Sequence, residues 1–86
     1  MQAPCLTLEQ ATVGDTLLVT HIADPETAMI ALRLGISEGE PIVLASKVPG
    51  GPMVIRQQGV EIALGRQLCQ GIEVQRLPKS AVKGNA

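Results

Sequence analysis

Asp24-Pro25-Glu26-Thr27-Ala28-Met29-Ile30-Ala31-Leu32-Arg33-Leu34-Gly35-Ile36-Ser37-Glu38-Gly39 reads as one helix with both ends marked, running on into a strand. Asp24 offers a carboxylate to the free N–H groups of the first turn. Pro25 stands where a missing N–H costs nothing, and Glu26 meets the positive end of the helix dipole. At the far end Arg33 suits the last turn, and Gly35 can take the left-handed conformation that stops a helix. Ile36 can then fold back on Ile30 or Ala31 as the apolar half of a Schellman cap. About ten residues of helix are too few to cross a bilayer, so this segment belongs to a folded domain.

The chain around it has 86 residues, enough for one domain. A chain of that size buries roughly 60 to 65% of its unfolded surface. Its core must be aliphatic, because Phe, Tyr and Trp are absent while Leu, Val and Ile number ten, eight and seven. The same absence weighs against a groove for proline-rich peptides and against a platform for single-stranded nucleic acid, both of which need aromatic rings. Net charge is −1, but it is unevenly spread. Residues 1–43 hold six acids and only Arg33, whereas residues 44–86 hold six bases and only Glu61 and Glu73. This asymmetry hints at charge complementarity with a partner, unless interleaved strands mix the two halves.

Cys5 and Cys69 form no CxxC pair, so neither a disulfide framework nor a zinc motif follows. The N-terminus lacks a basic-then-apolar signal segment and no run reaches transmembrane length. A cytoplasmic protein with reduced thiols is the expectation.

Taken in order, Thr7-Leu8-Glu9-Gln10 has the form of a capping box over a single helical turn, a lid rather than a long helix. Val13-Gly14-Asp15 marks a turn, and Thr16 to Ile22 form a first strand with Leu17 and Val19 on one face. After the helix, Pro41 to Val48 make a second strand, with Pro41 acceptable only at its start. Pro49-Gly50-Gly51-Pro52 is a loop, and Met53 to Gln57 and Val60 to Leu64 pair as a hairpin. Arg66 to Gln70 form one tight helical turn that tucks in Leu68. Ile72 to Leu77 alternate as the last strand, and residues 78–86 read as a disordered tail. Five short strands with one helix between the first two predict a small antiparallel barrel, mainly β, over residues 1–77.

No nucleophile stands beside a base and no acid pair has catalytic spacing, so an enzyme is not expected. His21, Asp24 and Glu26 place a nitrogen and two carboxylates near a strand-to-helix junction, a set able to hold a divalent metal. The simpler reading is a strand-end histidine beside a helix cap and a dipole-favoured glutamate, with no cofactor. Pro49-Gly50-Gly51-Pro52 precedes a strand and not a helix, which argues against a phosphate loop.

With these parts placed, Leu32-Arg33-Leu34-Gly35-Ile36-Ser37-Glu38-Gly39 resembles the leucine-x-leucine-glycine-x-x-x-glycine signature of the FeoA family. The likeness continues through Ile42 to Lys47, Pro49 to Pro52, Val60 to Leu64 and Ile72 to Val74. It implies an SH3-like barrel and a non-catalytic cytosolic accessory that docks on FeoB, the membrane-embedded, GTP-binding ferrous iron transporter. A similar fold occurs as the C-terminal domain of iron-dependent repressors. Family members commonly carry basic residues on the first helix, where this chain has Ala28, Met29 and Ile30. They often carry another directly after the fourth strand, where this chain has Gly65 before Arg66. Its proline-glycine loop is also one residue shorter than the family's.

On a helical projection Glu26 and Arg33 share one side, Ala28, Ala31 and Leu32 face the barrel, and Met29 and Ile30 flank the charged stripe. Either the helix is sunk into the domain, or Met29, Ile30 and Arg33 form a docking face for a partner subunit or a second copy. The Pro49-Gly50-Gly51-Pro52 loop is a second candidate contact surface.

Overall fold

The computed structural model describes residues 6–78. Along the chain it has β1 (Leu6–Thr7), a 3-10 turn (Leu8–Gln10), β2 (Thr16–His21), α1 (Pro25–Arg33), β3 (Pro41–Lys47), β4 (Met53–Gln57), β5 (Val60–Leu64), α2 (Arg66–Gln70) and β6 (Glu73–Leu77). The strands form one antiparallel sheet in the order β1-β6-β2-β3-β4-β5. This is the SH3-like, mainly β arrangement that the sequence predicts. Cys5 and residues 79–86 of the expected 78–86 tail lie outside the described residues.

Five strands match the expected segments to within a residue at either end. The sixth, β1, was not foreseen. It is two residues long, too short for a periodic signal, and is held by pairing Leu6 with Val74 and Thr7 with Glu73. Counting it, the helix lies between the second and third strands. The following turn is the expected lid: the Thr7 N–H donates to Gln10 Oε1 at 2.8 Å, and Leu8 is fully buried.

Alternation along each strand sends Leu17 and Val19, Ile42 and Leu44, Met53 and Ile55, Leu64 and Val74 inward, all at most 1% exposed. Aliphatic side chains thus fill the interior without any ring. The β4–β5 hairpin closes on Gln58 (φ 53°) and Gly59 (φ 82°), the two left-handed residues of a type I′ turn. Gly59 adopts this freely, whereas Gln58 does so against its Cβ. Gln58→Asn is therefore expected to raise unfolding free energy by about 0.5 to 1 kcal/mol, read from a urea midpoint at unchanged slope.

Both ends of α1 close as the sequence indicates. Thr27 donates its backbone N–H and its hydroxyl to Asp24 Oδ2, each at 2.9 Å. At the C-terminus Gly35 has φ 88°, its N–H donates to Leu32 O at 3.0 Å, and Ile36 N–H donates to Ala31 O at 2.9 Å. That is the Schellman pair, and Ile36 is buried beneath the last turn. The Thr27 backbone N–H, followed by its hydroxyl, holds the Asp24 carboxyl below the ordinary 3.8. The sign follows from linkage: the cap contributes fully above the unfolded carboxyl pKa and is lost as pH falls through the lowered folded value. Wild type should therefore lose stability faster than Asp24→Asn on acidification below about pH 4, measured by denaturant midpoints across pH.

One expectation about α1 is overturned. Leu32 does not face the barrel; it is 68% exposed, while Ala31 is fully buried and Ala28 and Thr27 are half-buried. Thr27, which makes both hydrogen bonds to Asp24, is half-buried and packs beside Gly71: a Cβ built on Gly71 would lie 3.2 Å from Thr27 Cγ2. Ile36, folded back by the cap, takes space under the C-terminal turn. The helix is therefore rotated so that its small residues meet the core and Leu32 swings out.

Candidate partner-binding surface

That rotation builds the site. Residues three and four apart on a helix are neighbours, so Leu32 and Arg33 both stand beside Met29. Met29 is 56% exposed, and the Arg33 guanidinium lies 4.0 Å from its sulfur. Ile30 and Leu34 form a second exposed aliphatic ridge on the same helix. Five residues from 29 to 34 thus show apolar or mixed surface to solvent, and only Ala31 among these six is buried. Met29, Ile30 and Arg33 were named from the sequence; Leu32 and Leu34 complete the face.

A groove flanks each side of this helix. One, of about 390 Å³, is lined by Leu32 and Ala28 with Ile22, Ile36, Ser37 and Glu38. The other, of about 490 Å³, sets Ile30 and Leu68 below a rim that includes Asp24, Glu26 and Gln67. The aliphatic face is therefore continuous with concave, partly apolar surface on both flanks.

The Pro49-Gly50-Gly51-Pro52 loop is tied down by a residue the sequence did not mark for that task. Arg66 donates from Nε to Gly51 O and from Nη2 to Val48 O, both at 2.8 Å, and its Nη1 lies 3.5 Å from Glu9 Oε2. One half-buried guanidinium thus holds two loop carbonyls and a carboxylate. The only sequence signal was a base just after the fourth expected strand. Through Arg66 the loop is joined to α2, whose Gln67 and Leu68 line the groove beside Ile30.

The charge asymmetry along the chain is partly consumed inside the fold. Arg66 meets Glu9, and Arg76 Nε lies 2.8 Å from Asp15 Oδ2, each pair joining the basic half to the acidic half. Because β6 is inserted between β1 and β2, the two halves interleave.

His21, Asp24 and Glu26 are not gathered into a ligand set. His21 Nδ1 faces Glu38 Oε2 at 3.6 Å, and that same oxygen accepts the Ile22 N–H at 3.2 Å. Asp24 is engaged with Thr27. Among the described residues no three His, Cys, Asp or Glu side chains cluster in a way that could hold a metal ion. Cys69 is fully buried, and burial pushes its thiol up to about 11, leaving it protonated at neutral pH. No helix among the described residues is long and apolar enough to cross a membrane.

The fold is a small SH3-like sheet whose nine-residue helix leaves an aliphatic face exposed. The comparisons narrow this: the FeoA domain model matches residues 6–76, and the chain belongs to that family. A crystal structure of an iron uptake regulatory protein, FeoA, superposes with a TM-score of 0.79 at 25% identity, over 86% of this chain and 100% of that one. A FeoA-like protein from Clostridium acetobutylicum gives 0.78 at 21% identity, over 91% and 92% of the two chains, a likeness of fold. A manganese-dependent transcriptional repressor gives 0.78 at 25% identity, where this chain's 90% corresponds to only 44% of the repressor. No curated protein matches the chain. The family is associated with ferrous iron transport.

Proposed function

We propose that this protein is a non-catalytic accessory module of ferrous iron uptake, acting in the cytoplasm by docking on the cytosolic part of a FeoB-type transporter. The observation that carries this reading is the outward rotation of α1, which leaves Leu32 68% exposed beside Met29 on a helix of a FeoA domain. Contiguous exposed apolar side chains on a small domain mark an interaction site, and Met29 and Arg33 within this face are of residue types enriched at interfaces. The Arg66-braced loop adds a second, pre-shaped contact, since carbonyls already held by a guanidinium lose little freedom on binding.

The test is capture of the transporter's purified cytosolic region by the immobilised protein. Saturable retention supports the reading, and its absence at micromolar concentration, with both proteins folded, overturns it.

A further inference from the structure

The sheet has two ends, and they are built differently. At one end β1 spans, among the described residues, only Leu6–Thr7, which leaves little edge there to pair with. At the other, β5 is five residues long and its ladder with β4 runs unbroken from Met53–Leu64 to Gln57–Val60, whereas β2–β6 and β3–β4 each contain a register shift. Exposed edges are normally guarded by Pro, Lys, a bulge or an inward-pointing charge. β5 has none of these; its one charge, Glu61, points to solvent and is paired with Arg56 at 2.9 Å.

The tight turn dictates which backbone groups face outward. In a two-residue hairpin the flanking pair, here Gln57 and Val60, exchanges hydrogen bonds, and bonded pairs then alternate along the ladder. Val60, Ile62 and Leu64 therefore bond to β4, while the N–H and C=O groups of Glu61 and Ala63 point away from it. Among the described residues those outward groups have no backbone partner. Val60, Glu61 and Ala63 are all exposed.

We propose that β5 is a self-association edge, pairing antiparallel with β5 of a second copy around a two-fold axis at Ile62. In that register Glu61 stands opposite Ala63 of the second copy, and the outward N–H and C=O groups of these two residues bond reciprocally. Ile62 then meets Ile62, and Val60, 58% exposed, lies beside the backbone of Leu64 of the second copy, whose own side chain stays in its core. Charge selects this register over its neighbour: a two-fold axis at Glu61 sets two carboxylates directly opposite each other, which is unfavourable. A partner strand of the same sequence is thus self-complementary in hydrogen bonding, and this register sets no like charges opposite each other, as an isologous interface requires.

The test uses position 63, which is exposed and not bonded to β4. Sedimentation equilibrium of the wild-type protein across micromolar to millimolar concentrations should show a monomer–dimer equilibrium. Ala63→Lys places an ammonium opposite Glu61 of the second copy and should tighten the dimer several-fold, whereas Ala63→Glu should weaken it about tenfold, because each substitution acts twice across the axis. Ala63→Pro removes an outward donor while sparing the β4 ladder and should abolish dimerisation. In amide exchange, Glu61 and Ala63 should gain protection as concentration rises, while Ile62 does not change. A wild-type protein that stays monomeric to millimolar concentration overturns the proposal. So does a dimer indifferent to the sign of charge at residue 63. Neither result bears on transporter capture by α1, which is read separately.

Discussion

Leu32→Glu is expected to reduce capture of the FeoB-type partner by about thirtyfold or more, the loss typical of a central hot-spot residue costing 2 kcal/mol or more. Leu32 is 68% exposed, so the substitution removes almost no packing from the domain itself. Glu and Leu have similar helix propensities, and with the carboxylate set against the negative end of the helix dipole, unfolding free energy should fall by no more than about 1 kcal/mol. A carboxylate at this position would have to be desolvated against an apolar partner surface, which is the source of the large binding effect. Met29→Glu, one turn earlier, should act in the same direction. Calorimetric titration with the transporter's cytosolic region measures both variants. Undiminished affinity for each would move the docking surface away from this face of α1.

Leu44→Ala should have the largest effect on the fold, a loss of about 2 to 5 kcal/mol. Leu44 is fully buried at the middle of β3, opposite Ile55 of β4. Its backbone also anchors the turn before β2, donating to Asp15 O at 3.0 Å and accepting from Gly14 N–H at 2.8 Å. Truncation to Ala keeps those bonds but leaves a cavity that no aromatic neighbour can swing in to fill, since the chain has none. A domain of this length has an expected stability of only about 4 to 13 kcal/mol, so a substantial fraction of it would go. The check is a lower urea midpoint at unchanged slope. A loss under about 1 kcal/mol would show that the aliphatic core repacks around the gap.

Local chemistry made much of this fold legible. The Asp24 cap, the Gly35 stop and the folded-back Ile36 are decided by neighbours in sequence, and all are present. Strand alternation was equally readable, because burial of one sheet face imposes a period of two. What stayed hidden depends on residues far apart in the chain. β1 exists only because Val74 and Glu73 lie beside it. The facing of Leu32 turns on Thr27 settling next to Gly71, a contact no helical projection contains. Arg66 gave no sign that it would hold Val48 and Gly51, since its targets are backbone carbonyls that any residue supplies. His21 was grouped with nearby carboxylates, whereas its partner is Glu38, brought round by the whole length of α1.

The insertion of β6 between β1 and β2 carries a consequence for how the molecule is made. A ribosome releases β2 through β5 as a set of successive neighbours that can begin pairing while synthesis continues. β1 emerges first yet has its partner among the last residues described, so it waits, and both β1 and one edge of β2 stay unpaired until β6 arrives. Completion therefore waits for β6, governed by a long-range closure of the slow kind typical of non-local β pairing. A nascent chain halted before Ile72 would lack β6 and, with it, the strand that holds β1 at that same end of the sheet, while β2 to β5 could still pair.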